Sequence, residues 1–217
     1  LNINAGTSYK VSVRATNLAG AVAEVTTNGV VYDPIAPEDG VVIFDGAERS
    51  NTSTANSTGT TSPRDIDYTS FDRTHTMQWG KFRDLHSGVA RYEVAIGRVV
   101  GRDTENVVDW TPVTGFADPE RPSYTFENLA LEDGAFLVSR VRAFDYAGNE
   151  RTRDSDGFVV DLSPPAPGIV VDGADLTADV NETASNVDAY IWSWTGFTDS
   201  ESSIRGYTFC LGTAPEV

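Results

Sequence analysis

The chain has 217 residues, of which 40% are hydrophobic and 22% charged, so it can bury a globular core. Its 32 acidic side chains outnumber 16 basic ones, and the formal net charge of −16 repels nucleic acids and anionic membrane surfaces. No apolar run approaches the roughly 20 residues of a membrane-spanning helix, so we expect no direct membrane insertion in this segment.

The first 33 residues are typical of the closing strands of a β-sandwich. Apolar side chains alternate with polar ones at four positions, which predicts a half-buried strand: Tyr9, Val11, Val13 and Ala15. A turn over 17–20 and a second strand region over 21–32 follow. Since Leu1 is not preceded by the other strands of such a sandwich, we expect the chain to be a piece of a longer one.

An internal repeat organises the sequence. Residues 1–33 match residues 129–161 at an offset of 128, as these pairs illustrate: Gly6 and Gly134, Gly20 and Gly148, Gly29 and Gly157, Asp33 and Asp161. A second match, at an offset of 115, relates Trp79 to Trp194, Asp84 to Asp199 and Tyr92 to Tyr207. Proline-rich phrases at 34–46 and 162–173 mark the boundaries. We predict an incomplete module over 1–34, a complete one over 35–162 and the start of a third over 163–217.

A long Ser/Thr/Asn-rich loop is predicted over 47–74, since residues 50–63 offer almost no apolar side chain to bury. It contains N-x-S/T sequons at Asn51 and Asn56, and another lies at Asn181 in the matching loop of the third module. These three asparagines are candidate glycosylation sites, and they favour a secreted or cell-surface glycoprotein. The alternative is a plain polar loop.

The complete module shows two further apolar faces. His75, Met77 and Trp79 share one side of a predicted strand, and Tyr92, Val94 and Ile96 share one side of the next. A short strand is expected around 107–113, and the closing strands lie within 124–161.

We expect Cys210, the single cysteine, to be a small buried side chain in a strand, unless its partner lies in a longer chain.

The phrase G-T-S-Y-K-V-S-V-R-A-T-N-L-A-G over residues 6–20 and the positions of Trp79 and Trp194 resemble fibronectin type III and related immunoglobulin-like repeats. The resemblance implies an all-β fold of tandem seven-stranded sandwiches. It also implies a tyrosine corner at Tyr9, whose hydroxyl would bond back to the backbone. Leu137 occupies the matching position of the complete module, so the corner bond should be missing there.

Few residues point to catalysis. His75 and His86 are the only histidines; we expect the first to be packed in the strand and the second to be solvated in a turn. No nucleophile, metalloprotease or phosphate-loop motif occurs, so no catalytic residues and no enzyme activity are predicted. Paired carboxylates for glycoside chemistry stay open among 32 acids, although no pair is singled out.

Calcium is the one cofactor that the sequence suggests. Aspartates recur at the module boundaries and in one turn: Asp33, Asp45, Asp161 and Asp172, with Asp84 and Asp199. Carboxylate oxygens are the ligands that calcium prefers, and these residues are weak candidates for holding it. The alternative is that they form turns by bonding to their own backbone.

The sequence favours a structural repeat segment of a large glycosylated extracellular or cell-surface protein, acting as a spacer, stalk or filament subunit. Mastigoneme-like surface filaments are a fold-level analogy. Its expected partners are neighbouring modules, other copies, surface proteins and glycans, with no nucleic acid. One alternative is a ligand-binding or adhesion ectodomain module that uses the loops at 83–88 and 98–106. The other is an accessory domain of a carbohydrate-active enzyme.

Overall fold

The structure, a computed structural model, describes residues 2–38, 42–46, 65–115, 118–177 and 191–212. All regular structure in these ranges is β. The strands are β1 (Ser8–Tyr9), β2 (Ser12–Thr16), β3 (Val22–Thr26), β4 (Val30–Val31), β5 (Ile43–Asp45), β6 (Tyr68–Thr69), β7 (His75–Trp79), β8 (Val89–Val100), β9 (Asp103–Pro112), β10 (Ser123–Phe126), β11 (Phe136–Asp145), β12 (Glu150–Asp154), β13 (Phe158–Val160), β14 (Ile169–Asp172) and β15 (Trp192–Thr195). The all-β fold class is thereby confirmed. Within the described ranges there is also no helix of the length and apolarity that crossing a membrane requires.

Two sheets form the central segment, residues 35–162. One sheet has the order β10-β7-β5, and the larger one has the order β6-β13-β11-β8-β9, with β12 beside β11. All pairings are antiparallel except that of β6 with β13. The sandwich-like, all-β character follows from this arrangement, since each sheet contributes one apolar face to a shared core.

The core contains the two faces that the sequence predicted. Met77 and Trp79 of β7 and Val94 and Ile96 of β8 are at most 1% exposed. They pack with buried side chains of β5, β10, β11 and β13: Ile43, Phe126, Leu137, Val141, Phe158 and Val160. Alternation along each strand explains why the neighbouring positions are left on the outer faces.

Two elements differ from the sequence predictions. The predicted short strand around 107–113 belongs to a longer strand, β9, which pairs with all but the first residues of the 12-residue β8 in a hairpin. The tight turn between them contains Gly101 in a left-handed conformation, with φ of 66°. In addition, the end of the predicted loop 47–74 contains β6, which pairs with β13.

The flanking segments repeat the strand register of the central one. Arg14 pairs with Glu24 in β2 and β3, and Arg142 pairs with Thr152 in β11 and β12, which is the same register at an offset of 128. Backbone angles repeat as well. Gly29 and Gly157 both have φ of 103°, and a Cβ at Gly157 would come within 2.8 Å of the carbonyl oxygen of Leu137.

The expectation that the first strand is half-buried was wrong for most of its apolar side chains. Val11 is 63% exposed and Val13 65% exposed, and only Tyr9 is partly buried. Among the described residues β2 pairs only with β3, and no second sheet covers this face. The apolar side chains of this strand therefore alternate with polar ones, but no second layer covers and buries them among the described residues.

The prediction for Cys210 was also wrong. Its side chain is exposed, and residues 203–212 form no strand. Because this segment pairs with no described strand, neither of its faces is turned toward a packed layer. Aromatic contacts nevertheless repeat here, since the Trp194–Tyr207 ring distance of 5.6 Å equals that of Trp79–Tyr92.

Candidate functional site

The tyrosine corner predicted at Tyr9 is present. The Tyr9 hydroxyl accepts a hydrogen bond from the backbone N–H of Asn4 at 2.8 Å. Leu137, at the matching position of the central segment, is buried in the core instead and has no hydroxyl to offer. The two copies thus close the same corner with different chemistry.

Carboxylates of three aspartates meet where the first segment passes into the central one; we call this set the first junction. Asp33, Asp84 and Asp145 each offer an oxygen within 4.8 Å of the others. Asp33 follows β4, Asp84 lies in the turn before β8, and Asp145 ends β11. Two of these, Asp33 and Asp145, are buried.

The aspartates of the first junction accept hydrogen bonds from nearby backbone and side-chain groups. Asp33 accepts from the backbone N–H groups of Ile35 at 3.0 Å and Ser87 at 3.1 Å. Asn149 donates its Nδ2 to the backbone oxygen of Asp33 at 3.0 Å and to Asp145 Oδ2 at 2.8 Å. Burial alone raises the pKa of Asp33, but the bonds from Ser87 and Ile35 outweigh it, so the pKa lies below its ordinary value.

A second junction repeats part of this plan one repeat later. Asp161, Asp199 and Glu201 offer oxygens within 4.8 Å of one another. Asp199 Oδ1 accepts from the backbone N–H groups of Ser202 and Ser203, as Asp84 Oδ1 does from those of Ser87 and Gly88. Ser203 has a left-handed φ of 65°, matching the 80° of Gly88. The bonds from Ser202 and Ser203 lower the pKa of Asp199.

One backbone bond is identical at both junctions. Glu38 N donates to Arg83 O at 2.7 Å, and Ala166 N donates to Thr198 O at 2.7 Å. These pairs correspond at offsets of 128 and 115. In each case the proline-rich linker is bonded to the same turn of the segment that follows it.

His86 is not solvated as expected. It is half-buried, and a Cβ at Gly6 would come within 2.6 Å of its Nδ1 atom, so the imidazole packs on the backbone of the preceding segment. The turn that contains Asp84 and Ser87 therefore contacts that segment through His86 as well as through the bond from Ser87 to Asp33.

Asp45, His75 and Ser139 form a buried polar network inside the central segment. Ser139 Oγ donates to Asp45 Oδ1, His75 Nε2 lies 2.7 Å from the same Oγ, and the ring of His75 stacks on Phe158 at 4.2 Å. This confirms that His75 is packed in its strand. Since the hydroxyl proton is directed at Asp45, His75 Nε2 donates to Ser139, and the histidine does not stand between the other two as it does in a hydrolase triad.

Asp45 also belongs to a third acidic set, which we call the edge cluster: Asp45, Asp65 and Asp156 offer oxygens within 4.8 Å of one another. Asp45 ends β5, Asp65 precedes β6, and Asp156 lies in the turn between β12 and β13. Asp65 Oδ1 accepts from the backbone N–H of Asp45 at 2.9 Å. Burial raises the pKa of Asp65, as do the negative charges of Asp156, Asp45 and Asp67.

Of the four boundary aspartates suggested for calcium, three lie in acidic sets, but in three different ones; the turn aspartates Asp84 and Asp199 lie in two of the same sets. Asp33 belongs to the first junction, Asp161 to the second and Asp45 to the edge cluster. Asp172 is exposed and lies in none of the sets formed by described residues. Asp145 and Asp156 were not among the aspartates expected from the sequence, although Asp145 aligns with the turn-forming Asn17 of the first copy.

A ladder of arginines and aromatic rings on the outer face of the larger sheet had no sequence signal. Arg142 lies over Trp110 at 4.4 Å and Arg91 over Phe144 at 3.4 Å, and Arg140 also approaches Trp110. Arg142 and Arg140 pair in turn with Glu93 and Asp154. The residues come from β8, β9, β11 and β12, so only the pairing of these strands brings them together.

The predicted glycosylation sites Asn51, Asn56 and Asn181 lie outside the described residues.

The two loops considered for ligand binding are not neighbours. Residues 83–88 precede the start of β8, and residues 98–106 form the hairpin at its other end. A strand of 12 residues spans about 40 Å, so the two cannot contact one small ligand.

No protein-family model, curated protein or solved structure matches the chain.

Proposed function

We propose that this chain is a structural repeat segment of a large glycosylated extracellular or cell-surface protein, and that it acts as a spacer or stalk. The tandem seven-stranded sandwiches of the fibronectin type III or immunoglobulin-like type belong to this proposal. The observation that carries it is the recurrence of one linker-to-turn bond, Glu38 N to Arg83 O and Ala166 N to Thr198 O, at equal length.

A repeated linker contact supports a spacer because it fixes each proline-rich linker in the same way on the segment that follows it. At the first junction, Asn149 and Ser87 bond to Asp33, and Arg151 Nε donates to Pro37 O at 3.3 Å. Each such hydrogen bond contributes about 1 kcal/mol, so several acting together restrict bending. Prolines at 34 and 37 stiffen the connection further.

The proposal places the chain in the secretory pathway, with glycans at Asn51, Asn56 and Asn181 and with neighbouring segments or other copies as partners. The net charge of −16 would keep neighbouring filaments apart. This proposal does not depend on calcium binding. The ligand-binding alternative would have to use only one of the two loops, at 83–88 or at 98–106.

Small-angle X-ray scattering on the 217-residue chain tests the spacer role. We expect a single extended shape for the wild type and a broader distribution of shapes for Asn149→Ala, which removes the bonds to Asp33 and Asp145. Asn106→Ala, which removes a polar contact with Arg140 away from the junction, is the matched control. Equal flexibility in the wild type and in Asn149→Ala would contradict a stiff junction.

Glycopeptide analysis of protein purified from its native source tests the secretory placement independently. Unmodified Asn51, Asn56 and Asn181 in that material would contradict it.

A further inference from the structure

The edge cluster contains a buried carboxylate oxygen that the protein leaves without a partner. Asp45 is 0% exposed, and its Oδ1 accepts from Ser139 and lies 3.6 Å from His75 Nε2. Among the described residues, its other oxygen, Oδ2, has no hydrogen-bond partner. A buried carboxylate oxygen that lacks a partner is costly, and native proteins usually supply a donor or a cation.

The surrounding charges favour a cation over a donor. Asp65 and Asp156 bring two further carboxyl groups to Asp45, and Asp67 adds a fourth negative charge nearby. Carboxylates whose oxygens lie within 4.8 Å of one another repel each other, because like charges at this separation interact unfavourably. A positive ion among them would relieve this repulsion and occupy the free oxygen.

We propose that Asp45, Asp65 and Asp156 bind a calcium ion. Calcium–oxygen distances are about 2.3–2.6 Å, so oxygens that share one ion lie up to about 5 Å apart, and three oxygens within 4.8 Å of one another suit this spacing. Magnesium requires tighter octahedral geometry and retains several waters, whereas calcium accepts irregular ligand sets from separate segments. Further ligands would be backbone carbonyls or water.

The ion joins the edges of the two sheets. Asp45 ends β5, the edge strand of the smaller sheet, while Asp65 and Asp156 lead into β6 and β13 of the larger one. Twenty residues separate Asp45 from Asp65, and the sequon-bearing tract lies between them. Calcium therefore couples Asp45 to Asp65 and Asp156 across the two sheets. Since the ligands are distant in sequence, the unfolded chain cannot hold the ion in this way, and binding stabilises the folded state.

The test uses the 217-residue chain with thermal unfolding in excess EDTA, CaCl₂ or MgCl₂, and isothermal titration with CaCl₂. For the wild type we expect the melting temperature to rise by about 5–10 °C at calcium concentrations about 100-fold above Kd. Asp65→Asn/Asp156→Asn changes two exposed side chains, so it should fold, as circular dichroism will verify. We expect it to lose this shift and at least about tenfold in calcium affinity.

Asp84→Asn is the matched control, because it removes a carboxylate of the first junction, the competing acidic set. It should retain the calcium response of the wild type. The proposal is overturned by no calcium response in the wild type, by a full response in Asp65→Asn/Asp156→Asn, by a response lost in Asp84→Asn, or by an equal response to MgCl₂.

Discussion

The carboxylate of Asp33 accepts a hydrogen bond from the backbone N–H of Ser87, 54 residues later in the chain, at 3.1 Å. Asp33 is the last residue of the first repeat copy, and Ser87 lies in a turn of the next. The bond therefore crosses the junction, and so does that of Asn149 to the backbone oxygen of Asp33. It turns a linker that the sequence marks only by prolines into a defined connection.

Asp33→Asn should change how stability depends on pH. The folded-state pKa of Asp33 is below its ordinary value of 3.8, so its contribution is fully present above that pH and is lost as the pH falls through the folded-state pKa. We expect the wild type to lose more stability than Asp33→Asn between neutral pH and about pH 3 in guanidinium unfolding. Glu127→Gln, at an exposed position, should follow the wild type. Parallel pH curves for the wild type and Asp33→Asn would refute this role.

Ser139→Ala should destabilise the central segment by about 2–3 kcal/mol. The substitution removes the hydroxyl that bonds to Asp45 and contacts His75, leaving two buried polar groups without it. Urea unfolding followed by tryptophan fluorescence measures the change. Thr125→Ala removes a hydroxyl contact on the exposed face, with Thr76 at 2.9 Å, and should cost less than about 0.5 kcal/mol. A Ser139→Ala cost equal to that of the control would show that the network contributes nothing to stability.

Trp110→Ala should destabilise the fold by about 1–2 kcal/mol, because it removes the ring that Arg142 and Arg140 cover. Chemical unfolding provides the measurement. Val107→Ala, at an exposed position of the same strand, is the control and should stay within about 0.5 kcal/mol of the wild type. If both substitutions lower the free energy of unfolding equally, the contacts between the arginines and the aromatic rings do not stabilise the fold.

Leu137→Ala should be the most damaging of these substitutions, at about 2–5 kcal/mol. Leu137 is 1% exposed near the start of β11 and belongs to the core, so truncation leaves a cavity between the sheets. Thermal unfolding tests this, with the 83% exposed Leu85→Ala as the size-matched control. Equal melting temperatures for the two variants would mean that the corner position is not part of the core.

Much of the strand arrangement could be predicted because it depends on local pattern. The alternation at Met77, Trp79, Val94 and Ile96 identified the core faces, since side chains alternate across a strand wherever it lies. The repeated glycines identified equivalent turns, because a left-handed backbone strongly favours glycine. The hydroxyl bond of Tyr9 was expected from the resemblance of residues 6–20 to fibronectin type III and immunoglobulin-like repeats.

The candidate sites could be predicted only in part. Three of the four boundary aspartates chosen from the sequence lie in acidic sets, yet each set is completed by residues that pattern alone could not assign to it, such as Asp156 beside Asp45. The predicted burial of Cys210 was wrong for a related reason. Burial depends on a covering layer, and the sequence of one strand does not show whether that layer is present.

By itself, the sequence determined that the chain is β-rich, acidic and internally repeated, since composition and period are properties of the chain alone. Only the tertiary structure decided which repeats bond across a junction and which carboxylates share an edge. Those relationships join residues 20 to 116 positions apart, and such distances in sequence are closed by sheet pairing and core burial, which no local pattern records.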